Sequence, residues 1–224
     1  MASGGLEETL SALTDLVRSG KARAVGTSMQ PASQIVEAQW IAERRGLVRL
    51  RTEQANYSIL DRSIEAEVLP VAARYGMGVL VWSPLAKGLL TGRARQGQET
   101  DLRRAARFSS LRDESRLAAV ERLLPVAQAA GLSLTHLALA FAATHPAVSS
   151  VLLGPRTMEH LDDLLAAADT ALDDDVLDAI DAVVRPGTTV GAPDESAYLS
   201  PALVRPELRR RATAPRTAVG AGAR

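Results

Sequence analysis

The chain has no cysteine among its 224 residues, which excludes disulfides, thiolate nucleophiles and metal sites built on sulfur. Aromatic side chains are scarce, with two Trp, two Phe and three Tyr, so a core has to be built mainly from aliphatic residues. No excess of either charge exists: 26 Lys and Arg balance 26 Asp and Glu. Without a basic surplus there is nothing to neutralise the phosphates of a nucleic acid, and nucleic-acid binding is not expected. The Arg103-Arg104 pair and the Arg209–Arg211 run fall in segments that read as loop and tail, where solvated surface is the ordinary explanation. No apolar run reaches membrane-spanning length, and the first five residues lack the charged and apolar regions of a leader, so no membrane partner and a cytoplasmic location are expected. Nor does any Gly-x-Gly-x-x-Gly follow a strand, so the usual dinucleotide fingerprint is missing.

What is present is periodic. The composition is rich in Ala, Arg and Leu and poor in Lys, as in proteins of GC-rich bacterial genomes, and 46% of residues are hydrophobic. Leu6, Leu10, Leu13, Leu16 and Val17 form one stripe at helical spacing, with Glu7 and Glu8 in the first turn and Gly20 as a stop. A short strand over 22–26 follows, then a helix from Pro31 to about Arg44, with Gly46 as its stop. The module repeats with a strand over 47–54, a helix from Ser63 to Tyr75 and the fully apolar strand Gly78 to Trp82. A long polar loop spans roughly 86–111. Helices over 113–130 and 133–144, a strand over 148–153, and helices over 157–168 and 173–184 complete the pattern. Past Arg185 periodicity is lost, so the expected organisation is one unit over 1–184 and a C-terminal extension over 185–224, partly disordered.

Alternating strands and helices with short connections imply right-handed crossovers and a parallel sheet, an α/β fold. Four strands are legible, where a closed barrel of this type has eight. Function gathers at the C-terminal ends of such strands. Those ends carry Ser28; Gln54; Trp82, Ser83, Leu85 and Gly88; and Gly154 and Arg156, with Thr157 placed to cap the next helix and Ser28 able to do the same. Amide and hydroxyl groups on neighbouring strand ends suit a carboxamide, and an aromatic at a strand mouth suits a flat ring. An Arg at a helix N-terminus suits a phosphate monoester. Together these describe a nicotinamide dinucleotide phosphate, although a capping Ser and a rim Gln are each also ordinary.

Four stretches sharpen this: Leu6 onward (LEETL) to Gly20–Ser28 (GKARAVGTS), Gln54–Leu60 (QANYSIL), Gly76–Gly92 (GMGVLVWSPLAKGLLTG) and Gly154–His160 (GPRTMEH). In that order, from about Leu6 to Leu172, they resemble the aldo-keto reductases, especially the branch of bacterial reductases and potassium-channel β subunits. The resemblance implies a (β/α)8 TIM-barrel fold, here an incomplete barrel of about the last four β/α units, strands five to eight. It implies NADP(H) as cofactor, with Ser28 and Gln54 on the nicotinamide carboxamide and Trp82, in place of the usual Tyr, stacked on its ring. Ser83, Leu85 and Gly88 would line the pyrophosphate, and Gly154 and Arg156 would hold the 2′-phosphate. His160 and Asp163 would lie near the adenine, and the 86–111 loop, with Gly88, Gly92 and Gly97, would close over the cofactor.

Three positions depart from the family pattern. Met29 and Leu164 stand where Asn is usual, and His160 where Gln is usual. Each costs a hydrogen bond of about 1 kcal/mol, together about one to three orders of magnitude in affinity. The family's catalytic Asp, Tyr, Lys and His come from the first four strands, so no catalytic residue is expected here. Tyr57, Tyr75, Tyr198, His136 and His145 are not placed to replace them. The expected function is therefore NADP(H)-dependent reduction of a small aldehyde or ketone once the catalytic half is supplied. The alternatives are a non-catalytic NADP(H)-binding or regulatory scaffold, a half-barrel completed by a partner chain or a second copy, and a decayed remnant. A phosphate-binding barrel of another family fits Gly154 to Arg156 but not the Trp82–Leu85 stretch.

Overall fold

A computed structural model describes residues 4–93, 109–192 and 205–208. Among them, helices and strands alternate as α1 (Gly4–Arg18), β1 (Gly26–Ser28), α2 (Ala32–Arg45), β2 (Thr52–Asn56), α3 (Val68–Arg74), β3 (Gly78–Trp82), α4 (Glu114–Ala129), α5 (Leu134–Thr144), β4 (Val148–Val151), α6 (Met158–Ala166) and α7 (Asp174–Val183). The strands form one parallel sheet in the order β1-β2-β3-β4. Helices follow the strands around it: α1 lies against α2, α2 against α3, and α5 against both β4 and α6. No single described helix is long and apolar enough to cross a membrane.

The helix ends show why these segments stop where they do. Gly46 takes a left-handed conformation (φ 64°) after α2 and returns its N–H to the last turn, the usual glycine ending. Ser133, Thr157 and Asp173 cap α5, α6 and α7 by accepting from backbone N–H groups of the first turn. The helix expected from Ser63 to Tyr75 is instead a 3-10 turn, Ser63–Glu65, followed by α3. Pro70 explains the break: its ring would collide with the carbonyl four residues back, so a helix containing it has to begin within the preceding turn. Ser28 does not cap α2, because Pro31 occupies that position with no side-chain cap.

Two strands begin later than the sequence suggests, at Gly26 rather than 22 and at Thr52 rather than 47. The backbone before β2 is already engaged elsewhere. Leu47 N–H bonds the Ala42 carbonyl, Val48 N–H bonds Thr14 Oγ1, and the Leu50 carbonyl accepts from Gln39 Nε2. β3 begins and ends as expected, and β4 ends at Val151 rather than 153.

The two faces of the sheet differ. Glu53, Ala55, Val79 and Val81 are all 3% exposed or less, and the three apolar ones pack into the main core with Leu69, Leu123 and Leu137. On the opposite face Gln54, Asn56, Leu80 and Trp82 are half-buried and Ser28 is exposed. Close strand contact requires glycine on this face: a Cβ on Gly26 would lie 2.6 Å from the Thr52 carbonyl oxygen. After α7 the chain runs back over the body. Val190 N–H bonds the Leu60 carbonyl, Gly187 N–H bonds Glu65 Oε2, and Ala192 N–H bonds Asp113 Oδ2.

Candidate functional site

At the mouth of β1 and β2, Ser28 stands directly opposite Gln54 in the parallel register. The Ser28 hydroxyl donates to the Gln54 carbonyl at 3.1 Å, and Met29 N–H reaches the same oxygen at 3.1 Å. The turn is held from behind by Glu53, which accepts from Thr27 Oγ1 at 2.5 Å and from Gln30 N–H at 3.1 Å. Burial raises the Glu53 pKa above the carboxylate norm, against the lowering effect of the bonds from Thr27, Gln30 and Met29. Met29 itself sits at φ 57°, in the left-handed region that a long side chain seldom occupies.

One pleat further on, Asn56 stands opposite Trp82, on the same face as Gln54 and Ser28. The Asn56 Oδ1 atom is buried and, among the described residues, has no hydrogen-bond partner. Sequence reasoning did not single out Asn56. The alternation of strand β2 could have found it, since residue 56 shares the face of residue 54.

The β3 exit is tightly folded. Ser83, Ala86 and Lys87 all have positive φ (58°, 47° and 60°), and Gly88 follows at φ 110°. Left-handed backbone outside glycine costs about 1–3 kcal/mol per residue, and such strain collects at ligand sites. Lys87 N–H bonds the Ser83 hydroxyl at 3.0 Å, and Gly88 N–H bonds the Leu85 carbonyl at 2.8 Å. Leu85 wedges between the main core and a smaller cluster, while Leu89 and Leu90 are fully buried and anchor the far end. Gly97 and most of the expected 86–111 closing loop lie outside the described residues.

Beyond β4, Gly154 and Arg156 are exposed ahead of α6. His160 Nε2 lies 3.5 Å from Arg93 Nη2, which links the β3 and β4 exits. Asp163 accepts from His136 Nε2 at 3.0 Å, so His136 is a satisfied side chain on α5, as its sequence setting suggests. Leu164, which stands where the family pattern has Asn, is buried with Leu139 and Ala167.

No described tyrosine is set up as a proton donor. The Tyr57 hydroxyl donates to Glu65 Oε1 at 2.7 Å. Burial, reinforced by Glu65, pushes its pKa far above the ordinary phenol value. Glu65 is held in turn by Arg62 Nε at 2.9 Å, and Arg62 also meets Asp181 at 2.7 Å. The Tyr75 ring lies under the Arg49 guanidinium, and Tyr198 lies outside the described residues. Among those residues no group of three His, Asp or Glu side chains is arranged to hold a metal ion.

A four-stranded parallel sheet packed against helices defines an α/β protein. The profile of the Aldo/keto reductase family matches residues 3–185, and the chain belongs to that family. It is 37% identical over 171 residues to the uncharacterized oxidoreductase YrpG of Bacillus subtilis, covering 76% of this chain and 52% of that protein. A probable voltage-gated potassium channel subunit beta of Oryza sativa is 38% identical over 189 residues, covering 80% of this chain and 58% of the relative. Protein tas of Escherichia coli is 34% identical over 181 residues, covering 80% and 52%. The chain thus spans about half the length of the curated relatives it matches.

Proposed function

We propose that this chain is the cofactor-holding portion of an NADP(H)-dependent reductase of small aldehydes or ketones, corresponding to strands five to eight of the family barrel. The observation that carries the reading is the half-buried sheet face on which Ser28, Gln54, Asn56 and Trp82 stand together at the strand mouths. The donor set suits a nicotinamide: hydroxyl and amide groups for its carboxamide, an indole for its ring. The orphaned Asn56 Oδ1 marks a place where a donor is lacking. When bound, the nicotinamide supplies a hydride. The chain's own part is to orient the ring with Trp82, hold the carboxamide with Ser28 and Gln54, and hold the diphosphate along the Ser83–Gly88 turn. Arg156, just ahead of α6, favours a 2′-phosphate over a free hydroxyl. His160 and Asp163 stand further along α6, towards the adenosine end.

The tied-up Tyr57 supports binding without turnover by the described residues, the proton donor coming from strands outside this sheet. The open sheet edges, β1 and β4 each being paired on one side only among the described residues, support completion by further strands, from a complementing half-barrel or a second copy. NADPH titration tests the first point: saturable quenching of Trp emission, with NADH at least tenfold weaker, is expected. No binding at millimolar NADPH overturns it. Oxidation of bound NADPH by an aromatic aldehyde with this chain alone overturns the placement of the acid. A clean monomer on a sizing column, unchanged by concentration, overturns self-association.

A further inference from the structure

Asn56 is the one described side chain on the mouth face of the sheet that keeps a buried polar atom with no partner. Such an atom is rare in native proteins, because it gives up its hydrogen bonds to water and receives none in return. Its location limits what relieves it. Asn56 follows Gln54 by one pleat on β2 and stands directly opposite Trp82 on β3. A flat ring stacked on Trp82 therefore carries its substituents past Asn56. On the other side of Gln54 the chain offers Met29, whose side chain has no hydrogen-bond donor and only a weak thioether acceptor. The mouth thus has no amide where the β1 exit turns, and an amide oxygen without a partner two residues along β2.

We propose that Asn56 positions the nicotinamide carboxamide, its Oδ1 accepting from the carboxamide NH2; this rests on the cofactor reading above. A half-turn of the amide exchanges Oδ1 and Nδ2 without moving the backbone, so the acceptor can stand at either edge of the amide plane. Asn56 touches no reacting atom and fixes the angle of the ring on Trp82. The contact also discriminates: a ligand with a methyl ketone in place of the carboxamide keeps the carbonyl but has no N–H to offer.

The test uses the full chain carrying Trp40→Phe, which leaves Trp82 as the sole indole reporter. NADP+ and its 3-acetylpyridine analogue are titrated by Trp82 emission against this protein and against the same protein with Asn56→Leu. The unaltered site is expected to prefer NADP+ by about fivefold or more, the worth of one neutral hydrogen bond. Asn56→Leu should reduce that preference about fivefold, and Asn56→Asp, which keeps an acceptor oxygen, should retain it. Thermal melting separates this role from a structural one. Removing an unsatisfied acceptor should leave the midpoint unchanged or raise it, whereas loss of a structural hydrogen bond would lower it. Equal preference in the unaltered and Asn56→Leu proteins, or a fall of several degrees in midpoint, overturns the proposal while leaving the cofactor reading intact. Failure of the unaltered protein to bind NADP+, NADPH or adenosine 2′,5′-bisphosphate overturns both.

Discussion

The two faces of the four-stranded sheet carry different chemistry on the same strands. On the helix side, Ala55, Val79 and Val81 are shut into the core, and the one polar member, Glu53, has both carboxylate oxygens occupied. On the mouth side, one residue away along each strand, stand a hydroxyl, two amides and an indole, with one amide oxygen unpaired. A period of two residues puts the core on one face and, on the function proposed above, recognition on the other. Substitutions should therefore sort by parity: the helix side should move stability and spare binding, and the mouth side the reverse.

The largest effect should come from the helix side. Arg116 on α4 is 2% exposed and makes a two-pronged bond to Asp61 at 3.0 and 2.9 Å. Arg116→Ala leaves Asp61 as an unpaired buried charge and should cost about 3–5 kcal/mol. Urea titration should show this as a lower midpoint at unchanged slope. Trp82→Ala is the mouth-side counterpart. It should weaken NADPH binding, read from nucleotide fluorescence, by about tenfold, since about 1.4 kcal/mol of ring contact is lost, with a midpoint shift well below that of Arg116→Ala. Equal effects of both variants on stability would break the division.

Tyr57→Phe should cost about 1–2 kcal/mol through the lost Glu65 bond and leave NADPH affinity unchanged. Glu53 gives a pH signature. Its folded pKa lies above the ordinary value of 4.5, so the folded state binds the proton more tightly than the unfolded one. The resulting contribution is fully present below pH 4.5 and is lost as pH rises through the folded pKa. Denaturation series at stepped pH should show this decline in the unaltered chain and a flatter profile in Glu53→Gln. The smallest effect sharpens the mouth. Met29→Asn places a residue tolerant of left-handed backbone at φ 57° and should add about 1 kcal/mol of stability. NADPH binding should tighten severalfold.

How much of this was legible in the sequence depends on how local the cause was. β3 was readable at both ends because a continuous apolar run needs no neighbour to define it. The start of β2 was not, since the backbone at 47–50 is claimed by Thr14, Ala42 and Gln39, none of which periodicity reveals. The grouping of Ser28, Gln54 and Trp82 follows from strand ends, and the register adds that they share a face. Asn56 shares that face, but its unpaired oxygen becomes visible only once its surroundings are known. The inward turn of Leu164 likewise depends on Leu139, on another helix. The Tyr57–Glu65–Arg62 cluster was out of reach for the same reason: its partners Asp181 and Gly187 lie about 120 positions away.

That separation also bears on the order of folding. The contacts from Arg62 to Asp181 and Val184, and from Glu65 to Gly187, join residues 119 to 122 apart. Closing so large a loop costs chain entropy that no local contact repays in advance. The β1–β3 modules, whose pairings are short-range by comparison, can assemble first. The α7 segment and the strand of chain behind it then arrive last, and on unfolding they are the natural place for the molecule to begin to open. In pulse-labelling hydrogen exchange, the N–H groups of Gly187 and Val190 should gain protection after those of β2 and β3.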